Sequence, residues 1–150
     1  FGEPARRAPL WAGMSTTHAT LAEVVSQGGR TGSVESADAG FRVEFQEPSE
    51  KIPSGVTPEH LFGAAWAACF HSAIRYVAQQ RKHPVKGSMV TARVHHHTDD
   101  AATQPFTVEL LVTLPGIDEA DAQRIIRDAH QMCCYTRATR GNVEVKTSLN

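Results

Sequence analysis

Covalent chemistry in this chain would fall to its three cysteines, Cys69 standing alone and Cys133 and Cys134 side by side. Three are too few and too unevenly spaced to staple a secreted, disulfide-rich domain. In a reducing compartment their value lies in reactivity, and a reactive thiol needs a neighbouring cation or hydrogen-bond donor that stabilises the thiolate. Without one, an unpaired cysteine in an apolar helix is ordinarily a small buried hydrophobe. Arg30 is the candidate partner, because arginine is always charged and its planar fork can donate to a thiolate and a carboxylate together. Glu59 is the candidate carboxylate that would orient it. Their bland alternatives are a solvated loop charge and a glutamate that merely favours the positive end of a helix.

The histidines add little chemistry. His95-His96-His97 invites a metal reading, but in a strand His95 and His97 share one face while His96 points away, leaving at most two convergent ligands. No metal site is expected. His71 lies two residues beyond Cys69, about 200° around a helix, and so cannot readily act as its base. That disfavours a Cys-His hydrolase.

The elements that must position these groups follow from patterning. Leu21 to Val25 and Val34 flank Gly28-Gly29-Arg30-Thr31-Gly32, whose glycines suit a tight connection, so a hairpin should display Arg30 at its tip. Phe41, Val43 and Phe45 alternate with polar residues and predict a half-buried strand. Thr57-Pro58-Glu59 reads as a helix start, and the helix should run to about Gln80. Leu61, Ala65, Ala68, Ser72, Ala73 and Tyr76 mark its inward stripe, widened by Phe62, Trp66, Cys69 and Val77.

Strands are predicted at about 88–97 and 105–114, with 99–104 as their turn. Asp118 caps a second helix whose inward face is Ala122, Ile125, Ile126, Ala129 and Met132, and this helix delivers Cys133 to its C-terminal end. Val143 and Val145, alternating with Glu144 and Lys146, close the chain as a last strand. The order β-β-β-α-β-β-α-β predicts an α+β domain, with antiparallel strands and two helices rather than alternating parallel units.

At 150 residues, with 41% apolar and 21% charged side chains, the chain suits one core rather than two. Residues 14–150 are expected to form that single domain. The first thirteen, FGEPARRAPLWAG, show neither period and read as an upstream extension or an expression remnant. A formal net charge of -1 argues against a nucleic-acid backbone or an anionic membrane surface as partner. Neither a membrane-spanning run nor a secretory signal is found, so cytoplasmic residence is the default expectation.

Two segments then bear a resemblance. Thr57-Pro58-Glu59-His60-Leu61-Phe62, followed by Ala68-Cys69-Phe70, resembles the first cysteine motif of the OsmC/Ohr peroxidase family. His130-Gln131-Met132-Cys133-Cys134-Tyr135, continuing through Ala138-Thr139-Arg140-Gly141-Asn142, resembles the second, in the form of the Ohr (organic hydroperoxide resistance) branch. Gly28 to Gly32 matches the arginine loop, and the similarity runs from about residue 18 to the C-terminus.

The resemblance implies an OsmC/Ohr-like fold of strongly curved sheets around two central helices. It implies Cys69 as the peroxidatic thiol, Cys133 as the resolving thiol, and Arg30 with Glu59 as the activating groups. Cys69 would become a sulfenic acid that Cys133 condenses with, and Arg30 could stabilise the departing alkoxide. Organic or fatty-acid hydroperoxides are the implied substrates, no bound cofactor is implied, and the reductant would be a lipoyl-type dithiol or lipoylated protein. An OsmC-like enzyme with broader use of hydrogen peroxide, or a non-enzymatic binding module on the same fold, are the alternatives.

One departure stands out, because Cys134 occupies the place of the family's usual proline. It could be a spare resolving group, a disulfide shuffler or a packed side chain, and adjacent residues usually point in different directions. Phe62, Trp66, Phe70 and Tyr135 could line a greasy approach to the thiol, or could simply be core. Finally, ten helical residues separate Glu59 from Cys69, a rise of about 15 Å. Either Arg30 spans most of that gap, the helix bends, or the glutamate serves a cysteine across the boundary of a two-fold dimer. A homodimer with its sites at or near the interface is the expectation.

Overall fold

Alternation and capping translate into elements much as the patterning predicts. The computed structural model describes residues 22–36, 40–47, 55–98 and 105–150. The expected N-terminal extension and the 99–104 turn lie outside the described residues, as does Leu21. Val25–Gln27 (β1) and Ser33–Ser36 (β2) pair antiparallel around a short 3-10 turn, Gly29–Thr31. Phe41–Glu44 (β3) adds to β2 to complete a three-stranded sheet. Of the alternating apolar residues here only Phe45 is buried, whereas Phe41 is 39% exposed, so this sheet's apolar face is only partly covered within one chain.

Pro58–Gln80 (α1) starts where Thr57 and Pro58 predict, with the Thr57 amide donating to Nδ1 of His60 at 3.1 Å. Its buried stripe is Gly63, Trp66, Phe70, Ala73, Ile74, Val77 and Ala78. That corrects the predicted face: Ala68 and Ser72 are exposed and Tyr76 is 51% exposed. A helix apolar around most of its girth offers several stripes of helical period, and the partner surface decides which is buried.

Met89–His96 (β4) and Phe106–Thr113 (β5) pair antiparallel, and Glu144–Leu149 (β6) joins the other edge of β5. The β5–β6 pairing is parallel, against the antiparallel expectation. Its cause is the intervening crossover through Glu119–Met132 (α2) and Cys134–Thr139 (α3), which returns the chain to the end from which β5 began. Val108, Leu110 and Val112 of β5 are buried with α1's stripe and with Ala122, Ile125, Ile126 and Ala129 of α2. Met132, predicted inward, is 44% exposed. Between α1 and β4 the approach is close, since a Cβ on Gly63 would lie 3.2 Å from Cγ2 of Val94. The core is therefore a helix layer on a three-stranded sheet, with the middle of α1 at its centre. Among the described residues, no helix is long and apolar enough to cross a membrane.

Candidate active site

Two clusters of the predicted residues form, at different points along α1. The first is built at the helix start. Gly28 holds a positive φ of 77°, and Gly32 packs so tightly that a Cβ there would fall 1.8 Å from the carbonyl oxygen of Gln27. This turn projects Arg30 onto Glu59 in the first turn of α1, with Nη2 on Oε1 and Nη1 on Oε2, the latter at 3.2 Å. Glu59 is mostly shielded while Arg30 remains 42% exposed. The Arg30 guanidinium, with lesser help from the helix start, holds the Glu59 carboxyl well down, at about 2.

His96 joins this cluster, its Nδ1 3.4 Å from Oε1 of Glu59 and its ring stacked on Phe106. Alternation explains it: Val90, Ala92 and Val94 face the core, and His96 continues that face to the start of α1. The sequence places His96 opposite its neighbours but carries no sign that Glu59 lies there. His95 instead lies 3.6 Å from Glu109, and His97 bonds Thr107 at 3.1 Å. Among the described residues no group of three or more side chains could hold a metal ion. A cleft of about 560 Å³ opens on this cluster, lined by Arg30, Glu59, His60, Arg93 and His96 among others.

The second cluster is made of sulfur. Cys69 lies in the middle of α1, and its Sγ is 3.4 Å from that of Cys133 and 3.3 Å from that of Cys134. Two adjacent residues both reach it because the chain breaks between helices there. Cys133 ends α2 and precedes α3 in an extended conformation, φ -61° and ψ 119°, which turns the backbone around the thiol. Contrary to the expectation that neighbours diverge, both sulfurs converge. They differ in setting: Cys133 is buried, Cys134 exposed and Cys69 intermediate.

Burial alone would push the Cys69 thiol up. The backbone amides of Tyr135 and Cys134 and the thiols of Cys134 and Cys133 outweigh it, so its pKa lies below the ordinary thiol value. Burial raises Cys133. Cys134 is raised first by its hydrogen bond to Cys69, with burial a smaller cause. Within one chain the groups that act most strongly on Cys69 come from the α2–α3 junction, and the Arg30 guanidinium is paired with Glu59, the carboxylate expected to orient it. α1 runs unbroken between the two clusters, so bending does not bring Glu59 to Cys69.

The short helix α3 is the piece that sequence reasoning misses. It carries Tyr135, and also Thr136, whose hydroxyl accepts from Nε1 of Trp66 at 3.3 Å. Six residues are too few for a periodic signal. Of the proposed aromatic lining, Trp66 and Phe70 are fully buried, Trp66 edge-on to Phe62 and Phe70 against His130, so these two are core. Phe62 and Tyr135 keep partial exposure beside them. His71 bonds Ser88 at 3.0 Å, away from the thiols as predicted.

The chain as a whole has relatives among known proteins. A family model described as OsmC-like protein matches residues 49–148. An organic hydroperoxide resistance protein of Xanthomonas axonopodis pv. citri is 35% identical over 137 residues, covering 89% of this chain and 93% of the relative. The organic hydroperoxide resistance protein OhrB of Bacillus subtilis is 34% identical over 131 residues, 85% of this chain and 96% of its own. Its crystal structure superposes with a TM-score of 0.78, covering 87% of this chain and 98% of that one at 33% identity. A Vibrio cholerae organic hydroperoxide resistance protein with captopril in one of its active sites gives the same TM-score at 31% identity, covering 92% and 95%. With this fold, both cysteine segments and the arginine loop in place, the chain belongs to the OsmC-like family, in its organic hydroperoxide resistance branch.

Proposed function

We propose that this chain is a thiol peroxidase that reduces organic hydroperoxides, alkyl or fatty-acid, to alcohols. The observation that carries the reading is the approach of the Cys133 and Cys134 sulfurs to within 3.4 Å of Cys69, at a junction that favours the Cys69 thiolate. A metal-free thiolate of this kind attacks the distal peroxide oxygen, the O–O bond breaks, and the alkoxide leaves and takes a proton. Cys69 then carries the hydroxyl as a sulfenic acid. Condensation with a neighbouring thiol expels water and leaves a disulfide in which Cys133 is the final partner of Cys69, and two electrons from a dithiol of the lipoyl type return it to thiols. No bound cofactor takes part. The names of the relatives support the substrate class, since they are organic hydroperoxide resistance proteins.

The placement of Arg30 supports a homodimer. Its guanidinium is held at the start of α1, and about 15 Å of helix rise separates Glu59 from Cys69 in the same chain. In the dimer we infer, the Arg30–Glu59 pair of one subunit faces Cys69 of its partner, where it stabilises the developing alkoxide. The half-covered β1–β3 sheet and the exposed stripe of α1 supply surface for that association. We place the enzyme in the cytoplasm, where dithiol reductants keep it turning over.

The test is direct. Reduced protein given one equivalent of cumene hydroperoxide is expected to lose two thiols and release one equivalent of the alcohol. Hydrogen peroxide should react more slowly. Retention of all thiols would overturn the reading in favour of a binding module, and equal rates on both peroxides would overturn the organic preference.

A further inference from the structure

The thiol that replaces the family's proline sits as close to Cys69 as the expected resolver does. Resting on the peroxidase reading above, we propose that Cys134 is a second resolving thiol, which captures the Cys69 sulfenic acid first and forms a solvent-facing Cys69–Cys134 disulfide.

Geometry supports capture by either neighbour. The separations are 3.3 Å to Cys134 and 3.4 Å to Cys133, and each needs only a small side-chain motion to reach the S–S bond length of about 2.05 Å. What distinguishes the two is first their setting, Cys134 open to solvent and Cys133 enclosed, and then how far oxidation changes them. The leading cause that raises Cys134 is its hydrogen bond to the Cys69 thiolate, and that negative charge disappears when Cys69 becomes a sulfenic acid. The leading cause for Cys133 is burial, which oxidation of a neighbour leaves in place. Cys134 is thereby freed to ionise at the moment a resolving thiolate is required, while Cys133 stays suppressed.

The steps balance. Cys134 thiolate attacks the sulfenic sulfur of Cys69, the S–O bond breaks, and hydroxide leaves as water after protonation. Cys133 can next attack Cys69 Sγ and expel Cys134 as thiolate, an exchange with no net change in oxidation state that moves the disulfide inside. Exposure then gives the first disulfide a function. An external dithiol attacks most readily where a sulfur is accessible and the departing thiolate is the more stable one. In the Cys69–Cys134 bond both conditions hold, with Cys134 exposed and Cys69 the low-pKa leaving group. In the Cys69–Cys133 bond the analogous sulfur is buried.

Rapid acid quench of the reduced protein after one equivalent of cumene hydroperoxide, followed by tandem mass spectrometry that cleaves the 133–134 peptide bond, identifies the first disulfide. A Cys69–Cys134 bond that precedes any Cys69–Cys133 bond is the expected result. The Cys133→Ser protein should still lose two thiols and form the 69–134 bond. The Cys134→Ser protein should resolve its sulfenic acid roughly threefold more slowly or worse, because only the buried Cys133 thiol is left to attack. Its disulfide should also be reduced more slowly by dihydrolipoamide. If the unmodified protein forms only the 69–133 bond from the earliest quench, the proposal is overturned while the peroxidase stands. If no thiol is consumed at all, both fall together.

Discussion

A thiol in the middle of a buried helix becomes useful through what surrounds it. Cys69 is drawn toward ionisation by the amides and thiols of the α2–α3 junction, and Cys133 is held protonated by its burial. Alkylation by iodoacetamide followed across pH should therefore modify Cys69 with a midpoint below the ordinary thiol range and Cys133 with one above it. Coincident midpoints would show that the junction does nothing for the thiolate. Cys69→Ser should drop peroxide turnover by roughly 10³-fold or more, as removal of a covalent nucleophile does. Glu59 offers a separate test. Its folded pKa of about 2 lies below its ordinary 4.5, so the pairing with Arg30 stabilises the fold fully above pH 4.5 and loses that contribution as pH falls toward 2. Thermal melts of the native and Glu59→Gln proteins should differ most above pH 4.5 and converge between 4.5 and 2.

At the scale of elements, the Arg30 turn depends on glycine for two distinct reasons. Gly29 holds a φ of 59° with open space around it, whereas a Cβ on Gly32 would strike the backbone at Gln27, which cannot move aside cheaply. Gly29→Ala should cost about 1–2 kcal/mol of left-handed strain and leave Arg30 on Glu59. Gly32→Ala should rearrange the turn, abolish the acid-dependent stabilisation that Glu59→Gln also removes, and lower turnover. Equal and small effects from both would mean that the turn adapts.

This turn, α1 from Pro58 to Gln80, β4, β5 and the Asp118 cap are all legible in the sequence, because each announces itself by a local rule: turn glycines, a Thr-Pro start, strict alternation, an acidic cap. The misreadings share a cause as well. Which stripe of α1 is buried, whether β6 runs parallel to β5, and that His96 meets Glu59 all depend on what packs against an element, and no local period encodes that. Cys69, Cys133 and Arg30 carried weight in the sequence only through the family's motifs. The convergence of Cys134 on Cys69 has no local signal in the sequence, since it comes from a backbone break at Cys133.

For the whole molecule, the separation of the two clusters along one unbroken helix is the fact to be explained. A single chain carries an ion pair at one end of α1 and a thiol centre farther along it, with Ala68, Ser72 and Tyr76 exposed on the helix and Phe41 exposed on the first sheet. If two subunits exchange these clusters, a defect in one should be curable by the other. A protein with Arg30→Ala keeps its Cys69, a protein with Cys69→Ser keeps its Arg30, and each alone should turn over organic hydroperoxide poorly. Mixed and allowed to exchange subunits, half of the dimers pair one of each, and one of the two sites in such a dimer has both groups. Activity should then recover to about one quarter of the native level in a two-fold assembly. No recovery, with exchange verified by native mass spectrometry, would assign Arg30 to its own chain's thiol and require α1 or the β1–β2 turn to move during turnover. A Tyr76→Asp substitution separates the two requirements, because a charge on the exposed stripe should dissociate the proposed dimer and lower turnover. The early ionisation of Cys69, which arises from its own chain's α2–α3 junction, should survive that dissociation.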